Sequence, residues 1–246
     1  MRYKSFIKIV EKCEVKSFID NDPIRFCYRY KDKKDIEIAG IIASWISYGP
    51  KEEYMPKIEY ILNTVMGNKP YDYILGVSWE KYKDDYSCLY RMNTWHNFAM
   101  LCEKLRLVYL NNEDLENAVL SHFIDRTTHF KYYYQSLCDL LSGETMIQTG
   151  KSLCTSRRMN MFMRWMVRKN SPVDLGIWKG FRQENLLVSC NTNCLNRAKE
   201  LGIIDLTVES ISCAVRVTKY AKKLFPNDPA RMDFALCGYG INKINK

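Results

Sequence analysis

The chain has 246 residues, 47% of them hydrophobic, and carries 37 Lys+Arg against 28 Asp+Glu, a formal charge of +9. That length and apolar content suit one domain or two closely packed lobes. No window approaches the roughly 20 apolar residues of a membrane span, and the amphipathic start MRYKSFIKIVEKCEVKSFID has no uninterrupted apolar run. A soluble, cytoplasmic protein with no membrane partner is expected.

Helical periodicity dominates from the start. In DIEIAGIIASWISYG, Ile38, Ile41, Ile42, Trp45 and Ile46 repeat at helical spacing, and Gly49-Pro50 is a stop. KEEYMPKIEYILNTVMGNKP places Ile58, Ile61, Leu62, Val65 and Met66 on one face of a helix ending at Gly67. Two further helices carry Trp95, Phe98, Ala99, Cys102 and Leu105, then Leu115, Ala118, Val119 and His122. Another is expected near Tyr132–Leu141.

SLCTSRRMNMFMRWMVRKN follows, with Thr155 or Ser156 as N-cap. Met159, Phe162, Met163 and Met166 fall on one side of this helix. Arg157, Met161, Arg164 and Arg168 fall on the other, within about 60° of one another. Beyond it, residues 169–189 read as a connector containing Pro172, Gly176 and Gly180. Asn191 or Thr192 caps the next helix, which Gly202 ends. A long helix over 207–225 turns Ile211, Val215, Thr218, Ala221 and Phe225 inward and carries a second basic stripe of Arg216, Lys219 and Lys223. The final helix has Asp228 as N-cap, Pro229 at its first position and Gly238 as its stop. No strand alternation persists, so the expected fold is all-α with roughly eight to ten helices.

The charge is uneven: residues 1–150 hold 20 Lys+Arg and 21 Asp+Glu, whereas residues 151–246 hold 17 and 7. Such asymmetry suits a polyanion, most often nucleic acid. Ten cysteines form no CxxC pair, and His96, His122 and His129 are the only histidines. Reduced thiols are therefore expected, with Cys102 and Cys237 in core positions and neither metal nor cofactor bound. Phosphate-loop, GxSxG, HExxH and EF-hand patterns are all missing.

The order of segments, IIASWISYG, RRMNMFMRWMVR, NTNCLNRAKELGI and MDFALCGYG, resembles the helix-hairpin-helix DNA glycosylase superfamily. There the third segment reads VDTHVxRVxxRLGL and the fourth xxALMxLG. The chain more closely resembles a bacterial protein family, itself similar to a distant branch of that superfamily, that reads CKRxNMFLRWMVR…VDLGxW…PLDTHVxRxAxxLGL…DPxxxDFALxGLGI. The resemblance implies a two-lobed helical fold with a cleft, one lobe spanning about 36–145 and the other about 1–35 with 146–246. It also implies DNA binding, with the chemistry carried by a lysine and an aspartate. Arg157 occupies the lysine position and Asn191 the aspartate position. A guanidinium stays protonated and cannot form a Schiff base, and a neutral amide can neither take a proton nor offset a cationic sugar. The usual glycosylase chemistry is therefore expected to be absent.

Lys151, Arg157 and Arg158 at one helix start are candidates for holding a phosphate, although the glycine-rich hairpin turn is reduced to Gly150. The arginine stripe has two readings. Arg157, Arg164 and Arg168 face a phosphate backbone, with Trp45, Tyr48 or Trp178 to wedge or stack against a base; or the arginines pair with carboxylates such as Asp174 and Asp233. Asp174 is also the candidate for a relocated acid. The expected ligand is a duplex, distorted or carrying a lesion. RNA, an acidic protein partner, and an active base-excision enzyme using another carboxylate, Asp174 or Asp233, are the alternatives.

Overall fold

The computed structural model describes residues 3–125, 129–147, 153–205 and 210–237, and their side chains other than those of 3–5 and 153–156. Among them are ten α-helices: α1 Tyr3–Cys13, α2 Lys33–Ile46, α3 Lys51–Glu59, α4 Pro70–Leu75, α5 Trp95–Asn111, α6 Leu115–Asp125, α7 Tyr133–Leu140, α8 Leu153–Val167, α9 Thr192–Glu200 and α10 Ile211–Leu224. Helical residues 232–237 follow a short 3₁₀ turn at Pro229–Arg231. The fold is all-α but for one feature without a signal in the alternation, a small antiparallel hairpin of β1 Cys88–Tyr90 and β2 Asn93–Thr94. No helix among the described residues is long and apolar enough to cross a membrane.

The chain divides into two compact units, one of residues 23–150 and the other of 1–22 with 151–246. Residues 23–35 thus belong with the central unit rather than with the termini. The cause is local: the 3₁₀ turn Pro23–Arg29 buries Ile24, Phe26 and Cys27 and packs on α2.

In the central unit α2 is buried nearly all round, from Ile36 to Ile46, beyond the single stripe its periodicity predicts. Asp32 caps it, accepting from the Lys34 backbone N–H at 2.9 Å. Even Glu37 is fully enclosed, where a bare carboxylate would be costly. It accepts from the Tyr109 hydroxyl (3.1 Å) and from the backbone N–H groups of Leu115 (3.1 Å) and Glu116 (3.3 Å), so one helix's carboxylate caps the start of α6.

The single helix expected over 51–67 departs from plan after Pro56, which lacks an N–H. The backbone widens into a π turn over Tyr60–Val65, closed by Met66 N–H to Ile61 O at 2.9 Å. Ile58, Ile61, Leu62 and Met66 still reach the core.

The terminal unit is built around one apolar cluster. Phe6 and Val10 of α1, Leu195 and Ala198 of α9, Val217 and Ala221 of α10, and Met232 and Leu236 meet there. The buried face of α10 is Cys213, Ala214, Val217, Thr218 and Ala221, rotated from the expected one, with Ile211 and Val215 half-buried at its margin. Ser210 caps this helix, and the expected start at 207–209 lies outside the described residues.

Candidate functional site

The backbone of α8 is helical from Leu153, so Thr155 and Ser156 lie inside the helix rather than at its cap. Met159, Phe162, Met163 and Met166 are fully buried, as their spacing predicts. On the opposite stripe Arg157 and Met161 are half-buried, while Arg164 and Arg168 are buried as well, 5% and 1% exposed. Neither faces a phosphate backbone. Each is enclosed by carboxylates.

Arg164 donates from Nε to Asp174 Oδ1 (3.1 Å) and from Nη1 to Asp233 Oδ2 (3.2 Å), with its guanidinium 4.8 Å above the Phe234 ring. Arg168 donates to both oxygens of Asp228 at 2.8 Å, to Asp174 Oδ2 at 2.7 Å, to Ser171 Oγ at 3.1 Å and to Glu14. Glu14 also accepts from Arg231 Nε at 3.0 Å. Burial works against both α8 arginines, but their carboxylate partners outweigh it and hold them firmly protonated.

The local sequence explains why Asp174 arrives there. Ser171 Oγ accepts from the N–H groups of Val173 and Asp174 at 3.1 Å, closing a tight turn. Leu175 and Gly176 then donate to Trp165 O at 2.8 and 3.1 Å, and Trp178 donates to Met166 O at 2.8 Å. The VDLGIW segment therefore folds back over the last turn of α8 and satisfies its open carbonyls. Gly176 permits this: its φ is +59°, and a Cβ there would lie 2.8 Å from the Arg168 carbonyl oxygen. Both Asp174 oxygens are committed to arginines, so it is a structural partner and not a relocated acid.

Asp233 is different. Its Oδ2 accepts from Arg164 and from the Ser189 N–H (3.4 Å), while its Oδ1 is buried with no hydrogen-bond partner among the described residues. Burial pushes its pKa up to about 6, against the lowering influence of Arg164. Burial also raises the Cys190 and Cys194 thiols, the latter to about 12, which keeps them protonated and unreactive.

At the other end of α8, the Ser189 hydroxyl donates to the Arg157 carbonyl at 2.9 Å. Asn191 caps α9, accepting from the Cys194 N–H at 2.7 Å, and the Arg157 charge acts on that same Cys194 thiol. Arg157, in the first half of α8, and Asn191, at the cap of α9, thus lie near one another. The amide of Asn191 is occupied as a cap.

The remaining candidates fall in different places. Arg158 is buried, and Lys151 lies outside the described residues. Trp178 is fully buried against Phe162 and Phe181. Trp45 is fully buried in the central unit, where its indole N–H donates to Thr145 O at 2.9 Å. Neither tryptophan can stack on a base from that position. Tyr48, also in the central unit, is 39% exposed with the Arg91 guanidinium over its ring.

Asp228 has no capping hydrogen bond, because its carboxylate goes to Arg168 instead. Glu14 carried no sequence signal. Arg231 was hidden inside the final helix pattern. A cavity of ≈ 540 Å³ opens over Glu14, Arg168, Asp228 and Arg231 at the edge of this network. Cys102 is buried as expected, but Cys237 is exposed. Among the described residues no group of three or more His, Cys, Asp and Glu side chains is placed to hold a metal ion.

The model of one family, described as a protein of unknown function (DUF2400), matches residues 22–242. No curated protein and no solved structure matches the chain.

Proposed function

We propose that this chain, which belongs to the DUF2400 family, is a DNA-binding protein of the helix-hairpin-helix glycosylase type whose catalytic pair has been replaced by Arg157 and Asn191. Charge carries the proposal. Residues 1–22 with 151–246 hold 22 Lys+Arg and 11 Asp+Glu, whereas residues 23–150 hold 15 and 17. The buried network removes three arginines from the first set but four carboxylates with them. Outside it the terminal unit keeps 19 cations against 7 acids. Enclosing the α8 arginines therefore does not weaken the positive field available to a polyanion.

The proximity of Arg157 and Asn191 supports the catalytic half of the proposal. An arginine guanidinium is no nucleophile, and Asn191 is a neutral cap. A damaged or distorted duplex is the proposed ligand, since extruding a nucleotide costs least there.

The test is a titration of labelled duplex DNA at several salt concentrations, with RNA of equal length alongside. The expected result is tighter binding to DNA and a slope of log K against log salt steeper than about −3, the value for three or four neutralised phosphates. A flat response would favour an adaptor for an acidic protein. Incubation with duplexes carrying uracil, 8-oxoguanine or alkylated bases should release no base.

One observation favours a second reading, in which base excision proceeds through a different acid. Burial raises the Asp233 carboxyl to about 6, and its Oδ1 has no hydrogen-bond partner among the described residues. Product that disappears in Asp233→Asn would establish that reading and defeat the first.

A further inference from the structure

Arg164 and Arg168 of α8 are committed to buried carboxylates, so the phosphate contacts of the terminal unit need a further surface. We infer that the outer face of α10 is the principal DNA-backbone contact of the terminal unit. This rests on the DNA-binding reading and adds the surface that performs it.

Within ISCAVRVTKYAKKL there are four cations, Arg216, Lys219, Lys222 and Lys223, and no acid. Arg216, Lys219 and Lys223 share one line within about 60°, on the side away from Cys213, Ala214, Val217 and Ala221. Ser212 falls on the same line. All four are exposed, and among the described residues none of the three cations has a carboxylate partner. From Ser212 to Lys223 the line runs about 16 Å at 1.5 Å per residue.

The arrangement costs the helix. Arg216 with Lys219 and Lys219 with Lys223 are like-charge neighbours at i,i+3 and i,i+4, a spacing that destabilises helices and that solvated faces commonly interleave with glutamates. The helix dipole accounts for cations in the last turn, Lys222 and Lys223. It does not account for Arg216 or Lys219, which lie before it. A strand of phosphates would turn this repulsion into attraction, with the Ser212 hydroxyl as an additional donor. The tight alternative, neutralisation by acids from other elements, is what α8 displays and what α10 lacks among the described residues.

The experiment compares two triple variants of the full chain with equal loss of charge. R216Q/K219Q/K223Q removes the line on α10. K31Q/K69Q/K131Q removes three exposed lysines of the central unit. Circular dichroism first establishes that both are folded. The α10 variant should lose about 2 to 3 from the salt slope of duplex binding, close to one per phosphate contact, with at least a tenfold weaker Kd at low salt. The central-unit variant should retain the parent slope. Equal weakening of both would overturn the inference, because net charge alone would then explain binding. A parent-like slope in the α10 variant would overturn it too, while leaving DNA binding intact. If the parent chain itself fails to bind at any salt concentration, the functional reading falls and the assignment of this surface with it.

Discussion

Two helices of the terminal unit carry basic stripes of the same periodicity and meet opposite fates. On α8, Arg164 and Arg168 point into a shell of Glu14, Asp174, Asp228 and Asp233. On α10, Arg216, Lys219 and Lys223 point into solvent. Periodicity says which residues share a side of a helix, and it is silent on what that side meets. The deciding information is held by acids elsewhere in the chain. Arginine suits the enclosed role because its planar fork can engage several carboxylates at once, as Arg168 does with three.

The sharpest way to break the comparison is Arg168→Met. If Arg168 were a phosphate contact, the variant would fold normally and bind DNA with a shallower salt slope. Here it would leave Glu14, Asp174 and Asp228 in a buried cluster without their common cation, an omission worth about 3–5 kcal/mol for a buried pair. The expected result is a marked fall in the urea midpoint with loss of hydrogen-exchange protection in α8. A normal midpoint combined with weakened DNA binding would return the arginine to the surface.

The next effect is pH-dependent and concerns the one member of the network with an oxygen unengaged among the described residues. The Asp233 carboxyl is raised by burial to about 6, above the roughly 3.9 of an unfolded aspartate. Between those values the folded chain binds more protons than the unfolded one, so this group's contribution to stability falls as pH rises. About two units correspond to some 2–3 kcal/mol, fully present below pH 4 and lost by about pH 7. Asp233→Asn should flatten that part of the profile, read as the difference in urea stability between parent and variant at pH 4.5 and 7.5. An unchanged difference would mean that Asp233 is ionised throughout.

Much of the helical framework was legible because it is local. The buried faces of α5 and α8, the Asn191 cap and the Gly202 stop follow from spacing and capping chemistry within a few residues. The site was not, and the reason is sequence distance. Arg168 meets Glu14 across 154 positions and Asp228 across 60, so no window holds both partners. Asp228 ahead of Pro229 has the local signature of a cap, yet its long-range arginine prevails. Trp45 and Trp178 illustrate the same limit: an aromatic ring suited to stacking on a base is equally suited to a core, and burial alone separates the two. The hairpin of β1 and β2 is too short to alternate, and the π turn after Pro56 hides inside an otherwise helical pattern.

The smallest effect addresses Asn191, a capping residue at the position proposed to have lost its catalytic aspartate. Its side-chain oxygen holds the Cys194 N–H, so Asn191→Ala should cost about 1 kcal/mol and fray the first turn of α9. Asn191→Asp should retain the cap, because a carboxylate at a helix start accepts the same hydrogen bond and suits the dipole. It should also release no base from lesion-bearing duplexes, since on the proposed reading an arginine, which is no nucleophile, still stands in place of the lysine. Base release by Asn191→Asp alone would show that the neighbouring arginine is no obstacle. Chemistry would then sit in the first half of α8, whose later arginines Arg164 and Arg168 are held by carboxylates.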